Sequence, residues 1–263
     1  MPLGALWKGP VRVLRIPSNE YRGIPIMGMR GIHERVTELL ARLPHGARVL
    51  DVPAGRGALT LRLHDQGLAA EGADLFPDLF QAPDLRCTQA DMNGALPFDD
   101  GTFDAVATVE GIEHLENPFG FVRECHRVLK RRGLLVLTTP NILVASSRLR
   151  FFLTGFFSLA RRPLNEFASD PTADHISPKT FAQLRHMLHT SGFHITEVGA
   201  ARVGWYNAWF YLFWPLAYAR AAAALKAEPD ERQRAANREI LRAIVSPPLL
   251  LGRIVVLAAE RTG

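Results

Sequence analysis

The 263-residue sequence predicts an α/β protein built on a largely parallel sheet. Three observations carry this. Short apolar runs alternate with helical patterns, as strands joined by helical crossovers do. Four successive runs close on an acid: Asp51, Asp74, Asp91 and Glu110. A glycine turn, "VPAGRG" at residues 52–57, separates the first run from the helix after it.

The elements follow in order. Residues 1–30 carry Pro2, Pro10, Pro17 and Pro25 and read as an irregular arm. From Gly31, "GIHERVTELLARLP" sets Ile32, Val36, Leu39, Leu40 and Leu43 on one helical face, and Pro44 and Gly46 end it. "ARVLDV" is a short buried strand. "ALTLRLHDQ" is a helix stopped by Gly67, and "LAAEGADL" is a second strand ending at Asp74. "DLRCTQAD" is a third strand ending at Asp91. A turn and a fourth strand, "PFDDGTFDAVATV", end at Glu110. "NPFGFVRECHRVLKRRG" reads as a helix with Phe121, Cys125, Val128 and Leu129 inward and cations near its C-terminus, where the helix dipole favours them. "LLVLTTP" is a fifth strand. "SPKTFAQLRHMLHTSGF" reads as a helix capped by Ser177 with Pro178 at its first position. "HITEVGAAR" and "RIVVLAAER" complete seven strands.

Two segments break the alternation. Residues 141–163 hold four arginines, no acid and a run of Phe and Leu. Residues 203–225 are uncharged from Val203 to Ala219 and hold three of the four Trp and three of the four Tyr. The chain divides accordingly into an arm at 1–30, a main domain at 31–202 plus 249–263, and an aromatic-rich helical insertion at 203–248.

Composition sets outer bounds. Apolar residues are 48% and charged residues 22%, which describes a globular chain rather than a disordered one. Two cysteines exclude a disulfide scaffold and suit a reducing, cytoplasmic setting. The first residues lack a long apolar run with a small-residue cleavage site, so no secretory signal is expected. A net charge of +5 and pI near 9.6 permit an anionic partner: nucleic acid, a phosphorylated substrate or acidic lipid.

Ligands of open parallel sheets bind beyond the strands' carboxyl ends, where strand order reverses. Gly55 and Gly57 let the backbone approach such a ligand. Thr60 stands where a dinucleotide motif needs Gly or Ala, and no Gly-Lys-Ser/Thr follows, so a pyrophosphate fits poorly. The acids fit a nucleoside with a zwitterionic tail. Asp74, at the second strand's end, can accept both ribose hydroxyls. Asp91 and Met92 can flank an adenine, and Asp51 can orient a cationic amino-acid moiety.

Here the sequence resembles the class I S-adenosylmethionine-dependent methyltransferases. The carriers are "VLDVPAGRG", "EGADLFPD", "TQADMNGALPFDDGTFDAVATVEGIEHLENP" and "ECHRVLKRRGLLVLTTPN". The resemblance implies a Rossmann-like, doubly wound, seven-stranded, mainly parallel sheet with an antiparallel C-terminal strand pair and a helical insertion before the last strand. It implies S-adenosylmethionine as cofactor. By that resemblance Asp51, Pro53, Ala54, Gly55 and Gly57 form the cofactor loop; Asp74 binds the ribose; Leu75 also contacts the cofactor; Asp91 and Met92 lie near adenine; Glu110 lines the site. Pro53 replaces the family's first loop glycine, and a proline there offers only its carbonyl or ring.

"VEGIEHLENP" holds Glu110, Glu113 and His114, which a helical turn would place on one face. The motif is similar to "E-x-x-E-H" in ubiquinone-pathway O-methyltransferases and in RNA 2′-O-methyltransferases, where such residues hold a metal. His175 stands at the place of a further ligand. The candidate set for Mg²⁺ or another divalent cation is therefore Glu110, Glu113, His114 and His175. His114 and Glu110 are also the candidate catalytic residues, with or without metal.

The expected activity is methylation of a small, apolar or lipid-linked acceptor at oxygen. An RNA 2′-O-methyltransferase and a non-catalytic scaffold are the alternatives; no RNA-binding module accompanies the charge, and Pro53 motivates the scaffold. The insertion reads as a lid, a membrane-surface element or a homodimer contact. The membrane reading places the chain on the inner face of the membrane.

Overall fold

The computed structural model describes residues 20–158, 164, 167, 174–226 and 228–263. Most of the arm (1–19) and Arg161 and Arg162 of the basic segment lie outside them. In chain order come β1 (Glu20–Tyr21), β2 (Ile24–Pro25), α1 (Ile32–Leu40), β3 (Arg48–Asp51), α2 (Ala58–Asp65), β4 (Ala69–Asp74), β5 (Cys87–Gln89) and β6 (Phe103–Val109). There follow α3 (Pro118–Val128), β7 (Leu129–Pro140), α4 (Ala145–Thr154), α5 (Phe181–Thr190), β8 (Phe193–Val203), α6 (Trp214–Lys226), α7 (Glu231–Ile244), α8 (Pro247–Leu251) and β9 (Gly252–Arg261).

Seven strands form one sheet in the order β5-β4-β3-β6-β7-β9-β8. β5 through β7 run parallel, and β9 runs antiparallel to both β7 and β8. This is the expected doubly wound sheet with an antiparallel C-terminal pair. Strand order reverses between β3 and β6, so a crevice opens where Asp51 and Glu110 leave the sheet.

Strand alternation divides the core. Leu50, Val106, Leu135 and Leu137 face α3 and α5, where Phe121, Cys125, Leu184 and Met187 are fully or almost fully buried. Val49, Ala105, Ala107, Leu134 and Val136 face α1 and α2, meeting Ile32, Val36, Leu40 and Leu63. Each face buries enough apolar surface to fix strand register, because a one-residue slip would exchange the two sets.

Several local expectations are corrected. Residues 20–25 form a hairpin rather than irregular chain, turning at Arg22 (φ 48°) and Gly23 (φ 80°). It is pinned to α2 by Tyr21, whose hydroxyl donates to Asp65 Oδ2 at 2.7 Å, and by the Arg62 guanidinium over the Tyr21 ring. The helix expected to reach Gly133 stops at Val128. Leu129 pairs with Phe103, and Lys130 reaches Asp104 at 2.8 Å, so tertiary pairing claims the basic stretch for β7. α5 is capped by Thr180, not Ser177. Thr180 and Gln183 form a reciprocal capping box, while the Ser177 amide donates to the Glu113 carbonyl.

Candidate active site

The glycine turn and Asp74 meet as the fold requires. The Gly55 N–H donates to Asp74 Oδ2 at 2.8 Å, and the Phe76 N–H donates to Oδ1 at 2.9 Å. Two backbone donors orient the carboxylate at the rim. Gly55 has φ +53°, and a β-carbon there would meet only Met27 Cγ at 3.8 Å, so the loop is open above it. Gly57 has φ +86°, and a β-carbon would lie 2.6 Å from Phe80 Cε2, so glycine is required twice over. Leu75 is half-buried beside this turn.

Asp51 is 1% exposed. Thr60 Oγ1 donates to its Oδ2 at 2.7 Å, and its Oδ1 has no hydrogen-bond partner among the described residues. Burial, reinforced by the Asp74 charge, pushes its pKa up to about 7. A lone acceptor aimed from a strand tip is what a ligand's cation would complete. The Pro53 ring packs against Gly111, where a β-carbon would sit 2.6 Å from Pro53 Cδ and 3.1 Å from Met92 Cε. Met92 belongs to the core under the rim. Asp91 is exposed past the end of β5 and accepts from the Asn93 N–H at 2.8 Å.

Glu110 departs from the helical expectation. Its φ is +48°, so the chain kinks there and the short 3-10 turn starts only at Ile112–His114. Glu110 therefore does not share a face with Glu113. Its Oε2 instead accepts from the Met29 N–H at 3.0 Å, and burial raises its pKa. Gly28 packs so closely that a β-carbon would lie 2.6 Å from the same oxygen. Residues 27–29 thus form a strap across the rim, which sequence reasoning missed; the only signal was a glycine between two methionines.

Glu113, His114 and His175 do come together. Their ligating atoms all lie within 4.8 Å of one another. Glu113 is fully buried. Its Oε2 accepts from Thr139 Oγ1 at 3.0 Å, and its Oε1 has no partner among the described residues. Burial, with Glu110 adding to it, raises its pKa to about 8. The His114 and His175 rings meet edge-to-face at 4.8 Å between centroids. His114 Nδ1 lies 3.0 Å from the Asp174 carbonyl oxygen; that acceptor assigns the proton to Nδ1 and leaves the Nε2 lone pair facing outward from the bond. Burial, then the His114 charge, lowers the His175 pKa.

The donor set fits a sulfonium nucleoside: a buried carboxylate oxygen without a partner among the described residues for an ammonium, a rim carboxylate, and a glycine turn open at Gly55. The comparisons agree with that class of protein. A family profile described as "Methyltransferase domain" matches residues 27–198, more than half of the chain, and the chain belongs to that family. A demethylmenaquinone methyltransferase of Tropheryma whipplei is 32% identical over 169 residues, 58% of this chain and 68% of that protein. A ubiquinone biosynthesis O-methyltransferase of Xylella fastidiosa is 30% identical over 185 residues, 66% of this chain and 71% of that one. A solved SAM-dependent methyltransferase from Archaeoglobus fulgidus shares the fold at TM-score 0.55 and 18% identity, covering 88% of this chain and 93% of that chain. The chain is accordingly an S-adenosylmethionine-dependent methyltransferase.

Proposed function

We propose that this enzyme methylates a hydroxyl of a small ring compound carrying an apolar or lipid tail. The single observation that carries the choice of oxygen is the Glu113, His114 and His175 group beside Glu110, at the rim that holds the cofactor turn. Transfer to oxygen needs a group that takes the hydroxyl proton. His114 is the candidate for it: the Asp174 carbonyl fixes the proton on Nδ1, which makes Nε2 the basic nitrogen. Relatives named for ubiquinone and demethylmenaquinone methylation support a quinol-like acceptor. Such an acceptor puts the reaction at a membrane surface.

The bound cofactor supplies an electrophilic sulfonium methyl. The protein's part is alignment and exclusion of water. Asp51 and the glycine turn hold the amino-acid end, Asp74 and Leu75 the ribose, and Asp91 and Met92 the adenine side. The strap at residues 27–29 covers the rim over Glu110.

In place of a base at His114, Glu113, His114 and His175 suit a divalent cation: one carboxylate oxygen has no partner among the described residues, and two imidazoles stand beside it. Such a cation would supply Lewis acidity to the acceptor hydroxyl. Glu110 stays outside this set because its oxygen is taken by Met29.

The test is methyl transfer from labelled S-adenosylmethionine to a catechol with a short isoprenoid tail, with the product's methyl position read by mass spectrometry. An O-methyl product that His114→Ala abolishes supports the reading. Methylation at carbon or nitrogen overturns it. Dialysis against chelator should cut the rate and added Mg²⁺ or Mn²⁺ restore it; indifference to both removes the cation.

A further inference from the structure

Two elements leave the sheet at the same rim as the site. β7 ends at Pro140 and leads to α4; β8 ends at Val203 and leads to a 3-10 helix, Trp205–Phe213, that continues into α6. β3, β6 and β7 are parallel, and β9 is antiparallel to both β7 and β8, so all these ends lie at one edge. α4 packs against the 3-10 helix, which joins the two elements.

Their outward side chains are large and apolar. Phe152 is 84% exposed, Leu153 68%, Leu212 81% and Leu216 65%, with Trp209 and Phe213 also exposed between them. Elsewhere the large apolar side chains of this chain mostly lie in the two cores. An exposed apolar concentration of this kind marks an interaction surface. Its charge says with what. α4, the 3-10 helix and α6 contain not one carboxylate; Arg220 and Lys226 are exposed on α6, whereas Arg148 is turned inward onto the Leu143 and Ile244 carbonyls. A basic, aromatic surface free of acids matches an anionic lipid layer, with apolar side chains entering the acyl boundary and cations at the headgroups. No helix among the described residues is long and apolar enough to cross a membrane, so the contact lies along the surface.

We infer that the face built by α4 and the Trp205–Phe213 helix with α6 docks on an anionic bilayer and turns the active-site rim toward it. This rests on the proposed lipid-tailed acceptor: a rim facing the bilayer receives such a molecule without carrying its tail through water.

The experiment is flotation of the full chain with phosphatidylcholine vesicles, with and without phosphatidylglycerol, at low and high salt. Bromine-labelled acyl chains report depth through tryptophan quenching, since three of the four Trp lie at 205–214. Flotation should need the anionic lipid, weaken with salt, and quench the tryptophans. Phe152→Ser with Leu212→Ser should cut partitioning about tenfold or more, with S-adenosylhomocysteine affinity and melting temperature unchanged. A separate Leu153→Asp variant should do the same, so one misfolded protein does not decide the matter. No flotation, wild-type flotation by both variants, or a dimer in sedimentation that the same substitutions dissociate overturns the inference. Loss of S-adenosylhomocysteine binding in the wild-type chain would instead overturn the methyltransferase assignment, and retained activity on a short-tailed acceptor without flotation would leave that assignment standing.

Discussion

Replacing Asp51 by Asn tests whether the rim is built to receive a ligand's cation. Asp51 is 1% exposed, and only Oδ2 is hydrogen-bonded among the described residues, by Thr60 at 2.7 Å. Burial lifts its carboxyl from 3.8 to about 7, with Asp74 adding to the rise. A carboxyl raised in the fold gives its full stabilisation below the unfolded value and loses it as pH climbs through the folded one. The window is therefore about pH 4 to 7. At 1.36 kcal/mol per pH unit, ionised Asp51 costs the ligand-free fold roughly 4 kcal/mol at pH 8. Asn keeps an oxygen for Thr60 and carries no charge. Asp51→Asn should thus be more stable than wild type at pH 8, by up to roughly 4 kcal/mol, with the gap closing toward pH 4. Urea unfolding at pH 5, 6, 7 and 8 reads this directly. The ammonium of S-adenosylhomocysteine should favour ionised Asp51, so binding releases a proton near pH 6, and the variant binds about tenfold or more weakly. A stability gap that does not change with pH, or an unchanged affinity, refutes the reasoning.

The remaining predictions are simpler. Gly57→Ala places a methyl 2.6 Å from Phe80 Cε2 at φ +86°, so it should cost about 1–3 kcal/mol in thermal unfolding and weaken cofactor binding. Gly28→Ala drives a methyl to 2.6 Å from Glu110 Oε2 and breaks the Met29 bond; a few-fold weaker S-adenosylhomocysteine affinity by calorimetry is expected, and no change would show that the strap does not serve the cofactor. His114→Ala and His175→Ala should each lower kcat by about 10²–10⁴-fold with the KM for S-adenosylmethionine unchanged; a change confined to KM would place them in binding instead. Thr180→Ala should cost about 1 kcal/mol through loss of the α5 cap, whereas Ser177→Ala should leave helix stability unchanged.

The seven-stranded sheet was legible because its signals are local. Short apolar runs bounded by turns mark strands buried on both faces, as around Leu50 and Val106, whose neighbours Val49 and Ala105 serve the other core. The basic run at Lys130–Arg132 misled for the opposite reason. Local propensity there favours helix, and the pairing of Leu129 with Phe103 overrode it. The α5 cap was misread because Ser177-Pro178 and Thr180 both carry start signals; the Ser177 amide was committed to Glu113, and Thr180 had Gln183.

By itself the chain determined the sheet, the glycine turn and the acids at four strand ends, because spacing along a strand is spacing in space. Tertiary structure alone decided which of those groups share a site. It carried His175 to His114 across α3, β7 and α4, and it separated Glu110 from Glu113 by a left-handed backbone kink. It also laid residues 27–29 over Glu110, a contact between segments 81 positions apart. Contacts of that range depend on how whole elements pack, and no periodicity in the residues encodes them.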